Sequence, residues 1–177
     1  AIAGSTLAGQ TYVYVYKPDG SQLTSANLYY SSGAAVSKAL ALSNLPVSGT
    51  YTVRVTPSSG ATGSLTLGLQ TDLSGSLTAG TPVSLSLASG QNATYTFTGT
   101  AGQKVQVGVS ADVLPGYTYF YMYKPDGTQM DYFSVNYSSG AGTNQTYTFS
   151  ALPVAGGYTL RVAPTGGIAG STTIQLN

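Results

Sequence analysis

The amino-acid sequence predicts an all-β protein built of antiparallel β-sandwich domains in tandem, and three observations carry that prediction. No window places apolar residues at i, i+3, i+4 and i+7 over a helix's length, and Gly or Pro interrupts nearly every stretch of about ten. Apolar and polar residues instead alternate in short runs bounded by turn residues, the period of two that a pleated strand imposes. The chain also repeats itself: residues 1–70 align with residues 108–177 without a gap, at a spacing of about 107, with roughly 31 of 70 positions identical.

The organising stretch is Tyr12-Val13-Tyr14-Val15-Tyr16 followed by Lys17-Pro18-Asp19-Gly20, which returns as Tyr119-Phe120-Tyr121-Met122-Tyr123 followed by Lys124-Pro125-Asp126-Gly127. Alternation reads as a strand. Pro fixes φ, Asp offers a local acceptor and Gly tolerates the exit conformation, so the strand runs into a tight turn. The next run, Gln22 to Tyr30, ends in Ser31-Ser32-Gly33, repeated as Ser138-Ser139-Gly140. A strand is then expected over Lys38 to Leu42, with Leu40 and Leu42 on the core face where the copy has Tyr147 and Phe149. Tyr51-Thr52-Val53-Arg54-Val55 and Tyr158-Thr159-Leu160-Arg161-Val162 read as half-buried strands, with Tyr, Val and Leu inward and Thr and Arg in water. Leu65, Leu67 and Leu69 mark the last strand of the first copy, matched by Ile174 and Leu176 in the second.

Residues 71–107 have no counterpart ahead of the first copy. They hold Val83-Ser84-Leu85-Ser86-Leu87, Thr94-Tyr95-Thr96-Phe97-Thr98 and the run opening at Lys104-Val105-Gln106-Val107, so the first sandwich, residues 1–70, lacks about three strands of the second, residues 71–177. Val83, Leu85, Leu87, Tyr95, Phe97, Val105 and Val107 form the inward set. At ~1.5 to 3 kcal/mol each, their loss removes on the order of 10 kcal/mol or more of burial. A domain's net stability is only about 5 to 15 kcal/mol. The first copy therefore needs completion by a neighbouring repeat or subunit, since open sheet edges pair with whatever strand arrives. The strand count and alternation suit two sheets packed face to face, an Ig-like or jelly-roll-like arrangement.

Composition narrows function. Charged residues make up 6% of the chain, against about 25% in ordinary soluble domains, and the net charge is +1. Such a surface repels its own copies weakly and favours association. Lys17, Lys38, Arg54, Lys104, Lys124 and Arg161 are scattered, so no basic stripe is available for nucleic acid or anionic lipid. No apolar run approaches the ~20 residues of a membrane helix. His, Cys and Glu are absent, which removes the usual nucleophile and base pairs; the chain is not expected to be an enzyme. Nor is a metal or cofactor expected, because the acids Asp19, Asp72, Asp112, Asp126 and Asp131 are widely spread. Asn92, Asn136 and Asn144 open Asn-x-Ser/Thr triplets and are acceptors for glycosylation where the host has that machinery.

The tyrosines are the candidate binding residues. With Val13, Val15, Phe120 and Met122 in the core, Tyr12, Tyr14, Tyr16, Tyr119, Tyr121 and Tyr123 form an outward row on each copy, with rings about 7 Å apart along the strand. Three readings stand: contact with a neighbouring domain or subunit, a stacking platform for sugar rings, or, with the faces reversed, core. Tyr51 and Tyr158 read as structural.

Several of these stretches together resemble the bacterial pre-peptidase C-terminal domain. They are Ala93-Thr-Tyr-Thr-Phe-Thr-Gly99, Ala101-Gly102-Gln103-Lys104-Val105, the Tyr-Lys-Pro-Asp-Gly turn and the Gly-x-Tyr-Thr-x-Arg-Val strand with Pro57 or Pro164. Gly63-Ser64 and Gly170-Ser171, each ahead of a last strand, complete the set. The resemblance covers most of both copies. It implies a β-sandwich appended to a secreted protease or other exported protein, or repeated in a long surface protein, in a family some of whose members bind calcium, collagen or polysaccharide. The calcium site does not carry over onto the acids present. The expectation is a structural subunit, or a piece, of an exported filament, stalk or surface layer outside a prokaryotic cell, partnered by itself. The alternative is a carbohydrate- or substrate-binding accessory module of a secreted hydrolase.

Overall fold

The computed structural model describes residues 1–40, 42, 45–165 and 169–177, and these form two compact units, Ala1–Leu69 and Gln70–Asn177. Every regular element among them is a β-strand.

The second unit is a sandwich of nine strands: β7 (Leu73–Ser76), β8 (Pro82–Leu87), β9 (Ala93–Gly99), β10 (Gln106–Asp112), β11 (Gly116–Tyr123), β12 (Gln129–Tyr137), β13 (Thr143–Thr148), β14 (Gly156–Pro164) and β15 (Gly170–Leu176). One sheet has the order β13-β10-β15-β8 and the other β12-β11-β14-β9-β7. Alternate residues of both sheets meet in one core, including Leu85, Leu87, Phe97, Val107, Phe120, Met122, Leu160, Val162 and Ile174. Within it Phe120 stacks on Phe133 with centroids 4.7 Å apart, and Phe133 on Tyr147 at 4.8 Å. Val83 and Tyr95, expected inside, pack against this core half-buried.

The first unit repeats the scheme with six strands: β1 (Ile2–Ser5), β2 (Gly9–Tyr16), β3 (Gln22–Tyr30), β4 (Val36–Lys38), β5 (Thr52–Pro57) and β6 (Thr66–Leu67), in sheets ordered β4-β1-β6 and β3-β2-β5. Aligned on the repeat, these orders are those of the second unit with β8 missing beyond β6, and β9 and β7 missing beyond β5. The small core holds Ile2, Val13, Ala26 and Leu28, with Val36, Leu40, Val55 and Leu65 against it.

Four expectations change. The sheets are not wholly antiparallel: β7 runs parallel to β9. The strand between them, β8, lies in the other sheet, so the chain crosses over and returns in its original direction. The third strand absent from the first copy is thus β7, with a single apolar residue, and β10 survives there shortened as β1. The run Leu65 to Leu69 keeps only the two-residue β6, because an edge that has lost its outer neighbour keeps hydrogen bonds on one side alone. Finally, the strand expected over 38–42 lies earlier, at Val36–Lys38, and Ala41 is outside the described residues.

The Lys-Pro-Asp-Gly turns form alike in both copies. The Asp19 carboxylate accepts from the Ser21 N–H at 2.8 Å and its hydroxyl at 2.7 Å; Asp126 does the same with Thr128 at 2.9 and 2.6 Å. These bonds hold both carboxyls below their ordinary range. A Cβ at Gly49 or Gly156, both at strongly positive φ, would strike the ring of Pro18 or Pro125 at 2.7 or 2.8 Å, which ties the turn to the start of the β5 or β14 strand.

Candidate functional site: an open sandwich edge and a tyrosine face

The missing strands leave the first unit's interior open. A groove of about 240 Å³ runs along it, lined by Val13, Val15, Leu42, Val53, Leu67 and Leu69 among others. Repeat positions show what has been uncovered. Val53, Leu67 and Leu69 are 48%, 46% and 85% exposed, whereas their copies Leu160, Ile174 and Leu176 are 0%, 0% and 5% exposed. Leu45 is 53% exposed and its copy Leu152 only 1%. In the second unit these side chains are covered because β8 pairs with β15 and β9 with β14. The side chains of the lining are apolar, and its two walls, β5 and β6, are edge strands, each paired with a neighbour on one side alone among the described residues. Chemically, such a groove accepts a β-strand.

The tyrosine rows lie on the face opposite the core. Val13, Val15, Phe120 and Met122 point inward; Tyr12 is exposed, and Tyr14, Tyr16, Tyr119, Tyr121 and Tyr123 are half-buried. The reversed assignment, with these rings in the core, does not hold. Along β2 the centroids are 6.0 Å apart from Tyr12 to Tyr14 and 6.2 Å from Tyr14 to Tyr16. Along β11 they are 5.8 Å apart from Tyr119 to Tyr121 and 6.5 Å from Tyr121 to Tyr123. Much of each ring's burial is therefore against the next ring. Sequence reasoning missed two members: Tyr117, at the start of the same strand, and Tyr132, which β12 brings opposite Tyr121. The hairpin register out of the Lys-Pro-Asp-Gly turn was the signal for Tyr132. Arg54 stands opposite Tyr14 and Arg161 opposite Tyr121, so each row has a cation on the same face.

Tyr51 and Tyr158 close loops: their hydroxyls donate to the carbonyls of Val47 and Val154 at 2.8 and 2.7 Å. Of the acceptor triplets, Asn136 and Asn144 are exposed and Asn92 half-buried. The Asn144 amide oxygen accepts from the Ala111 N–H at 2.9 Å, and Asn92 donates to the Asp72 carboxylate. The structure does not gather the acids. Asp112 alone is buried, without a well-formed hydrogen bond among the described residues; burial pushes its carboxyl up, and weaker pulls from the Thr172 hydroxyl and Leu114 N–H act the other way. No group of three metal-ligating side chains occurs among the described residues, and they contain no helix long and apolar enough to cross a membrane.

Fold and site together define an all-β sandwich protein with one closed unit and one open one. No family model and no curated protein matches the chain. Among solved structures it is similar to the pre-peptidase C-terminal domain of a collagenase from Bacillus anthracis, at 14% identity and TM-score 0.45 over 62% of this chain and 100% of that one. It is also similar to PliG of Aeromonas hydrophila, a periplasmic inhibitor of g-type lysozyme, at 17% identity and TM-score 0.41 over 60% and 99%.

Proposed function

We propose that the chain is a structural module of an exported β-sandwich assembly, in which strands from outside complete the first unit and so join one module to the next. One observation carries this reading: the apolar interior of the first unit is open at the repeat positions that strands seal in the second. Leaving this surface wet forfeits roughly 25 cal/mol for each Å² of apolar area, so association at the edge has a standing driving force. The low charge of the chain removes the repulsion that would oppose it. Such an array belongs outside a prokaryotic cell, as a filament, stalk or surface layer, with the tyrosine faces as lateral contacts. Electron microscopy of the native material tests this. Continuous fibres with a repeating density of sandwich domains are expected; discrete particles refute it.

The tyrosine rows favour a second reading, a polysaccharide-binding accessory module of a secreted hydrolase, since a face of half-buried aromatics with Tyr12, Tyr117 and Tyr132 exposed, all with polar tips, suits sugar rings. It requires retention of the full chain on insoluble glycan, lost on replacing Tyr14 and Tyr121 together by Ala.

A further inference from the structure

We infer that the groove of the first unit is a strand acceptor with a defined register, and that its occupant is a segment of a neighbouring polypeptide built like residues 82–99 of this chain. This deepens the assembly reading by naming the chemistry of the partner at the open edge.

The second unit displays the occupant in place. β8 lies antiparallel to β15 with Leu87 opposite Gly170, Leu85 opposite Thr172 and Val83 opposite Ile174. β9 lies antiparallel to β14 with Phe97 opposite Tyr158, Tyr95 opposite Leu160 and Ala93 opposite Val162. Carried back along the repeat, one incoming strand sets apolar residues opposite Gly63, Leu65 and Leu67. The other sets them opposite Tyr51, Val53 and Val55. The pair at Tyr51 is the most specific, because in the second unit Phe97 stacks on Tyr158 with centroids 5.7 Å apart and planes 22° apart. The first unit keeps what that geometry needs: Tyr51 is anchored by its hydroxyl to Val47, as Tyr158 is to Val154.

The acceptor also selects. A residue on every second position of the incoming strand faces side chains that are all apolar, and the Ala1 ammonium that also lines the groove donates to the Gly68 carbonyl at 2.6 Å, so a charge there is buried without a side-chain partner. Residues between them face solvent, where Ser84, Ser86, Thr96 and Thr98 stand in the displayed strands. The chain's own β8 and β9 are already engaged in the second unit and do not fill the groove. The required segment is therefore alternating, uncharged on its inner face, and aromatic at the position of Phe97.

The test adds a synthetic peptide of residues 71–107 to the intact chain. A one-to-one complex is expected by native mass spectrometry, with slowed amide exchange confined to Thr52–Pro57 and to residues 63–69. In the chain, Val53→Asp or Leu67→Asp weakens binding at least about 100-fold, because each buries an unpaired carboxylate. Both sites are about half exposed in the free chain, so the variants fold; unchanged exchange in β2 and β3 of the first unit, without peptide, checks it. Phe97→Asp in the peptide acts alike from the other side. Absence of a complex, binding indifferent to these substitutions, or a dimer of the chain that seals β5 and β6 and resists the peptide would each overturn the inference. Fibres in the native material without peptide binding refute the acceptor and leave the assembly reading standing. Peptide binding with discrete native particles does the reverse.

Discussion

Leu69→Ala and Leu176→Ala are the same change at the same repeat position, one in each unit, and their costs should differ severalfold. Leu176 is 5% exposed, between β10 and β8. Truncating a leucine so buried loses its transfer energy and leaves a cavity, about 2 to 5 kcal/mol. Leu69 is 85% exposed, so only a small part of a burial term of ~1.5 to 3 kcal/mol is present to lose, about 0.5 kcal/mol or less. The Leu45→Ala and Leu152→Ala pair repeats the comparison, at 53% against 1% exposure. Amide exchange across a denaturant series is the assay, since it reads β5 and β14 separately even if the units unfold apart. Leu176→Ala should speed exchange through the second unit, with Leu69→Ala nearly silent. An equal cost at both positions would show that Leu69 is already covered, and the open groove with all that rests on it would fall.

Three further outcomes follow from local geometry. Asp112→Asn should stabilise the protein at pH 7 and change little at pH 3: a carboxyl raised by burial contributes stability below its unfolded value of about 3.9, lost as pH rises through the folded value. Thermal unfolding of both proteins across that range checks it; Asp19 and Asp126, held low, lose stability in the opposite direction as pH falls but cancel in the comparison. Gly99→Ala should destabilise the second unit by about 1 to 3 kcal/mol, because its Cβ would overlap the Leu152 side chain and crowd the Tyr158 ring, measurable as a lowered denaturant midpoint. Tyr121→Ser removes ring contacts to Tyr119, Tyr123 and Tyr132, each worth about 0.5 to 1.5 kcal/mol, and should lower Tm in the free chain before any partner is added.

Much of the fold was legible because alternation and repetition constrain each other. Placing Val13 over Phe120 and Val15 over Met122 identifies the inward face, and the structure buries all four. What stayed hidden depends on partners rather than on the strand itself. β7, Leu-Ser-Gly-Ser, has no alternation to read and is a strand because β9 offers it an edge. β6 has a strong pattern in Leu65, Leu67 and Leu69 but shrinks to two residues for want of an outer neighbour. The tyrosine rows were readable strand by strand, whereas Tyr132 enters only through the register of the hairpin.

The repeat supplies an internal control that a single sandwich lacks. An exposed leucine on its own says little, since much of any protein surface is apolar. Here the exposed Leu45, Val53, Leu67 and Leu69 of the first unit each have a copy in the same chain that is buried, under strands whose pairing is known. Residues at these positions stay apolar in both units: Val53 against Leu160, Leu67 against Ile174, Leu69 against Leu176. Had the first unit been a free-standing end, an edge of this kind would be blunted with charge or Pro along its outer strands. β5 and β6 carry one cation, Arg54, which faces the tyrosine row, and Pro57 only at the strand's last position. The inner face of the first unit therefore retains the apolar residues that the second unit buries.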